Sequence, residues 1–125
     1  MPAIGKILFN LFKVISYLPE ITFFMEKNRP TASIAFQIMP RTKDRKRAIA
    51  IIDKVIGVIK ASGVSYEVGP METTMEGDLD TLLAIVRKSQ DVAIEEGATQ
   101  VFSNVKILHN PKGVMTINEK VTKHR

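Results

Sequence analysis

The sequence contains no cysteine and no tryptophan, and its only histidines are His109 and His124. The lack of cysteine excludes disulfides, thiolate zinc sites, iron–sulfur clusters and a cysteine nucleophile. Because the two histidines are far apart in the sequence, they do not suggest a local metal site, and we expect none. Aromatic residues make up 6% of the chain, which leaves few rings on which single-stranded nucleic acid could stack.

The length and composition of the chain are typical of one globular domain. Hydrophobic residues make up 45% and charged residues 25% of 125 residues. Eighteen Lys and Arg against thirteen Asp and Glu give a net charge of +5, which permits a nucleic-acid partner without requiring one. The basic segment 41–47 is typical of a solvated loop and helix start, and no glycine-rich phosphate loop is present. We therefore expect no specific nucleic-acid partner.

Residues 1–24 are more apolar than the rest of the chain. Their apolar positions recur at helical spacing from Gly5 to Tyr17, which predicts an amphipathic helix that Pro19 ends. The stretch is too interrupted by polar residues to span a membrane. It is a helix on a membrane surface, a helix docked on the domain, or extra sequence ahead of an initiator at Met25. We favour the last over membrane contact, which makes residues 25–125 the expected domain.

Hydrophobic periodicity in the remaining residues predicts strands and helices in the order βαββαβ. The predicted strands are Thr31–Pro40, Val64–Val68, Glu72–Glu76 and Val101–Ile107. The first long helix runs to about Ser62 before Gly63, and the second runs from its N-cap Asp78 to Gly97. Their predicted core stripes are Ala48, Ile49, Ile52, Val55, Ile56 and Ile59, and Leu79, Leu82, Leu83, Val86, Ala93 and Ile94, with Ile85 and Val92 at the edges of the second.

This order is that of an α+β, ferredoxin-like two-layer sandwich. An antiparallel four-stranded sheet then carries two helices on one face, and a short C-terminal helix capped by Thr116 follows the last strand.

The pleat determines which residues lie on the sheet face without helices, because successive side chains of a strand point to opposite sides. Its predicted members are Ser33, Gln37, Met39, Glu67, Thr74, Glu76, Phe102, Asn104 and Lys106. This mixture indicates a face partly covered by another copy of the chain, with polar groups lining a cavity. An interface that is merely hydrogen-bonded fits the spacing equally well.

Three carboxylates, Glu67, Glu72 and Glu76, lie around the turn Gly69-Pro70. No nucleophile, metal-ligand set or oxyanion device accompanies them in the sequence. They therefore favour recognition of a cationic or amine-bearing ligand over catalysis. We expect a protein that is not an enzyme and that uses no cofactor.

The segment from Tyr66 to Ile107 resembles the YkoF-like thiamine-binding family of small ferredoxin-like proteins. The residues that carry the resemblance are PMETTMEG, the helix start DLD, EEGA before the last strand, and a lysine within that strand. The opening strand SIAFQIMP also fits. The resemblance covers roughly Thr31 to Lys123 and excludes residues 1–24.

This resemblance implies a non-catalytic, cytoplasmic protein that binds thiamine or its hydroxymethylpyrimidine moiety. It implies assembly through the sheets into dimers or tetramers. Glu76 then corresponds to the acidic position of the site and Thr74 to the hydroxyl position. Gln37, Asn104 and Lys106 are expected to face the same pocket, with Glu67 nearby. The alternative is an oligomeric regulatory domain of the same fold that senses another small ligand, such as an amino acid.

Overall fold

The computed structural model describes residues 2–15, 18–21 and 28–125. The elements in chain order are helix α1 (Pro2–Ile15), strand β1 (Ala32–Arg41), helix α2 (Arg45–Ser62), strands β2 (Ser65–Val68) and β3 (Thr73–Gly77), helix α3 (Leu79–Glu95), strand β4 (Gln100–His109) and helix α4 (Ile117–Val121). A 3-10 turn, Thr122–His124, follows α4. The predicted βαββαβ order and the short terminal helix are therefore confirmed.

The four strands form one antiparallel sheet in the order β2-β3-β1-β4. The register places Ala35 of β1 between Thr74 of β3 and Lys106 of β4. Gln37 lies opposite Asn104, two residues further along β1. Strand β4 is longer than predicted because it pairs with β1 along its whole length, which satisfies the backbone groups of both strands. The predicted ferredoxin-like sandwich is confirmed.

Local signals explain where the two long helices begin and end. The carboxylates of Asp44 and Asp78 accept hydrogen bonds from the backbone N–H groups of Arg47 and Thr81, which caps α2 and α3. Hydrogen bonding to Thr81 lowers the pKa of the Asp78 carboxyl. Helix α2 ends at Gly63, whose φ of 81° lies in the left-handed region that glycine adopts without strain.

The core lies between the sheet and the two long helices. Its fully buried large side chains include Ile34 of β1, Ile51 and Ile59 of α2, Met75 of β3 and Leu82 of α3. The predicted stripes were wrong at three positions, because Ile49, Leu83 and Ile94 are exposed. On α3 the buried stripe is Leu82, Ile85, Ser89 and Ala93.

Ser89 explains the error on α3. Its side chain is small enough to lie against the sheet, and its hydroxyl donates to the carbonyl oxygen of Ile85 at 2.7 Å, so its burial leaves no unpaired polar group. A polar residue in the middle of the buried stripe shifts the apparent apolar face of the helix toward Leu83 and Ile94.

Helix α1 confirms the predicted helix, although it begins before Gly5, and the predicted end at Tyr17 lies outside the described residues. Ile4, Ile7, Leu8 and Leu11 are each more than half exposed. Among residues 2–15, 18–21 and 28–125, no helix has the length and apolar character needed to cross a membrane. The boundary between residues 24 and 25 stays a prediction.

Candidate functional site

The sheet face opposite α2 and α3 carries a cavity of about 360 Å³, here called the open-face pocket. Strand residues form its floor and α4 forms one wall. Its lining residues are Ser33, Ala35, Glu67, Thr74, Lys106, Ile107, Leu108, Ile117, Lys120 and Val121. Three of the six predicted ligand residues, Glu67, Thr74 and Lys106, are therefore brought together.

A second cavity, of about 330 Å³, shares Glu67 and Thr74 with the open-face pocket and reaches the turn of the β2–β3 hairpin. Gly69, Pro70, Met71 and Glu72 complete its lining. Because Glu67 and Thr74 belong to both cavities, the carboxylate and the hydroxyl are accessible from either side.

Glu76 does not line either cavity. Its Oε2 atom accepts a hydrogen bond of 2.6 Å from the backbone N–H of Ile117, the first residue of α4. A helix N-terminus has unpaired N–H groups that favour a negative charge, so this contact anchors α4 against the sheet. In this structure Glu76 positions one wall of the pocket, while its predicted contact with a ligand stays a prediction.

Gln37 and Asn104 contact each other at the end of the open face beyond the pocket. The Nδ2 atom of Asn104 donates to Oε1 of Gln37 at 3.2 Å. The pair lies two residues along β1 and β4 from Ala35 and Lys106, a step of about 7 Å. The structure thus separates these two predicted ligand residues from the lining of the open-face pocket.

Two further carboxylates near this face, Glu72 and Glu67, form ion pairs with basic side chains of the chain. The Nζ atom of Lys106 lies 2.7 Å from Oε1 of Glu72. The guanidinium of Arg125, which follows the 3-10 turn, forms an ion pair with Oε1 of Glu67. The pocket therefore contains charges of both signs, held by the chain itself. Among the described residues, no cluster of His, Asp or Glu side chains could hold a metal ion.

No motif in the sequence indicates that α4 forms a wall of the pocket. Thr116 and Glu119 form a capping box, which identifies a helix but not the surface on which it packs. The docking depends on Glu76 and Ile117, which are 41 positions apart in the sequence. Ile117, Lys120 and Val121 are therefore the lining residues that sequence reasoning missed.

Arg29 holds α4 from its outer side. Its NH1 atom lies 2.6 Å from Oε1 of Glu119 and donates to the carbonyl oxygen of Val114 at 3.3 Å. Burial raises the pKa of Glu119, but the hydrogen bond from the Thr116 backbone N–H and the interaction with Arg29 outweigh it, so the pKa is lowered overall.

This lowered pKa predicts that α4 is held less firmly in acid. A carboxyl whose folded-state pKa is depressed contributes its stabilisation fully above its ordinary pKa, and loses it as the pH falls through the depressed value. We expect amide protection factors across Ile117–Val121, corrected for intrinsic exchange rates, to fall over that range. Glu119→Gln should lower the amide protection of these residues at neutral pH, and the protection should then change less with pH. If the protection factors of Glu119→Gln fell with pH as steeply as those of the unmodified protein, Glu119 would not be the group responsible.

Comparisons with known proteins identify the family of this chain. The family model described as thiamine-binding protein matches residues 34–125. A UPF0045 protein of Clostridium perfringens is 53% identical over 95 residues, which make up 76% of this chain and 98% of that protein. These matches confirm the resemblance that PMETTMEG and the neighbouring motifs indicated.

Solved structures share the same fold. A domain of unknown function from Bacillus cereus superposes with a TM-score of 0.70 at 39% identity, covering 80% of this chain and 94% of that chain. A candidate thiamine biosynthesis or salvage protein of Thermotoga maritima superposes with a TM-score of 0.67 at 31% identity, covering 75% of this chain and 98% of that chain.

Proposed function

This chain belongs to the thiamine-binding protein family, and we propose that it binds thiamine or its hydroxymethylpyrimidine moiety in the open-face pocket. The observation that carries the proposal is the convergence of Glu67, Thr74 and Lys106 on one cavity. Its volume of about 360 Å³ lies within the range of small-molecule sites, roughly 300–1,000 Å³.

The lining chemistry suits both halves of thiamine. The Glu67 carboxylate offsets the charge of a thiazolium ring. The Thr74 hydroxyl both donates and accepts, and the Lys106 ammonium donates to a ring nitrogen. Ile117 and Val121 supply apolar surface for a ring face.

The same set of groups supports binding without turnover as part of this proposal. The lining residues offer charge and hydrogen-bond recognition, and Lys106 is engaged in an ion pair with Glu72 rather than with a hydroxyl that it could activate. In this proposal the protein works in the cytoplasm, in the salvage, transport or buffering of the vitamin.

We further propose that a second copy of the chain covers the open face, so that the pocket lies between subunits. Phe102, Leu108 and Met39 are exposed apolar side chains on this face or at its margin. Their burial against a partner would remove apolar surface from water, and the polar groups between them would remain to line the cavity.

A second candidate function is recognition of an amino acid. The pocket places a carboxylate, Glu67, and an ammonium, Lys106, in one cavity, and an amino-acid zwitterion carries the complementary pair of charges. Binding of free amino acids in place of thiamine would support a regulatory domain on the same fold.

Titration calorimetry of the intact protein tests the proposal. We expect saturable heat with thiamine and with hydroxymethylpyrimidine, and none with amino acids. Thermal shift with the same compounds provides an independent readout, because a ligand that binds only the folded state raises Tm. A flat thermogram with thiamine would overturn the proposal, and saturation with an amino acid would replace it with the sensor function.

A further inference from the structure

Three carboxylates of the described residues lie on the open face or in the neighbouring hairpin turn, and each has a partner within the chain. Glu76 accepts from the backbone N–H of Ile117. Glu72 pairs with Lys106 at 2.7 Å. Glu67 pairs with the guanidinium of Arg125. A cationic ligand that uses one of these carboxylates must therefore displace a donor that the protein itself supplies.

The three donors differ in what their release would disturb. Releasing the N–H of Ile117 would leave the start of α4 uncapped and undock a wall of the pocket. Releasing Lys106 would remove the side-chain ion pair that links β4 to the hairpin turn. Arg125 and the turn Thr122–His124 are exposed, and the Arg125 side chain itself is 64% exposed. Its release disturbs no other contact described above.

Glu67 is also the carboxylate best placed for a ligand. Its side chain is only 27% exposed, and it lines both the open-face pocket and the neighbouring hairpin cavity. The guanidinium of Arg125 therefore occupies the position in which the positive group of a ligand would be attracted most strongly to Glu67. Electrostatic attraction is stronger there because the surroundings are partly desolvated.

We propose that Arg125 is a resident cation of the open-face pocket, and that residues 122–125 form a strap which the positive group of a ligand displaces from Glu67. This inference rests on the proposed function, because it requires a cationic ligand such as thiamine. The strap lowers the apparent affinity for cations by the fraction of molecules in which Glu67 is occupied. A neutral ligand that does not use Glu67 is spared this competition, so Arg125 sets the preference between charged and neutral ligands.

The experiment compares thiamine, which is cationic, with neutral hydroxymethylpyrimidine by calorimetry, using protein without added C-terminal residues. We expect Arg125→Ala to bind thiamine about two- to fivefold more tightly, the range expected for loss of an exposed ion pair, with hydroxymethylpyrimidine unchanged. The thiamine affinity of Arg125→Lys should lie between those of the intact protein and Arg125→Ala. Arg87→Ala is the matched control, because it removes the same charge from an exposed pair with Asp91 on α3.

The outcomes separate this proposal from the proposed function. If the intact protein and Arg125→Ala bind thiamine equally, the strap is overturned and the binding function stands. If both ligands gain affinity equally, Arg125 only shields the pocket and its role as a competing cation is overturned. If neither ligand binds, the proposed function fails.

A measurement without ligand tests the strap in every case. The Nε–H resonance of Arg125 should shift in Glu67→Gln, while Glu95→Gln, an exposed change on α3, should leave it in place. An Arg125 resonance unaffected by Glu67→Gln would overturn the proposal.

Discussion

We expect Glu67→Gln to lower the affinity for thiamine by about tenfold to a hundredfold, because a hydrogen bond to a charged group contributes roughly 1.5–3 kcal/mol. The substitution keeps the shape of the side chain, removes its negative charge and replaces one acceptor oxygen by an NH₂ donor. The loss should fall toward the lower end of the range, since the same change also removes the competition from Arg125. Affinity for neutral hydroxymethylpyrimidine should stay unchanged, because a neutral ligand does not use the Glu67 charge. Calorimetry on the two ligands measures both effects.

The matched control for this prediction is Glu95→Gln. Glu95 is exposed at the end of α3 and does not line the pocket. Its substitution removes the same charge as Glu67→Gln. An equal loss of thiamine affinity in both variants would show that net charge, and not contact with Glu67, governs binding.

Leu82→Ala should lower the free energy of unfolding by about 2–5 kcal/mol, since it removes a fully buried side chain and leaves a cavity beneath α3. Leu83→Ala, the same chemical change at the next residue, should cost less than about 1 kcal/mol because Leu83 is exposed. Urea unfolding followed by far-UV circular dichroism measures the two variants. Equal losses would contradict the buried stripe described for α3.

The order of elements and the two faces of the sheet could be predicted because both depend on local patterns. Alternation along Thr31–Pro40 assigns Ile34 and Phe36 to the helices and Gln37 to the opposite face, and pairing with β3 and β4 preserves that assignment. Asp78 and Thr116 cap the helices that they were expected to cap, because N-capping depends on neighbours three residues away.

The helix stripes were harder to predict because a helical face is inferred from an average over several turns. A single polar residue that satisfies itself within the helix, such as Ser89, moves that average although the packing does not change. Tertiary contact, not local hydrophobicity, decides that Ile85 is buried and Ile94 is exposed.

The pocket itself depends on contacts between distant residues. Glu67 and Thr74 could be placed on one face from the pleat, but their meeting with Lys106 required the order of the strands. The role of Glu76 could not be predicted at all, since an acidic residue in a strand carries no signal that it will receive the N-terminus of a helix 41 residues later. The same holds for Arg125 and Glu67.

Helix α4 lies outside the βαββαβ unit and contributes one side of the pocket from a short C-terminal segment. Most of the buried core belongs to β1, α2, β3 and α3, and the exposed residues 122–125 add nothing to it, so substitutions at these four positions should cost little stability. In the proposed function, residues 122–125 therefore adjust ligand preference from outside the part of the chain that forms most of the core. We expect substitutions there to change the preference between charged and neutral ligands at small thermodynamic cost.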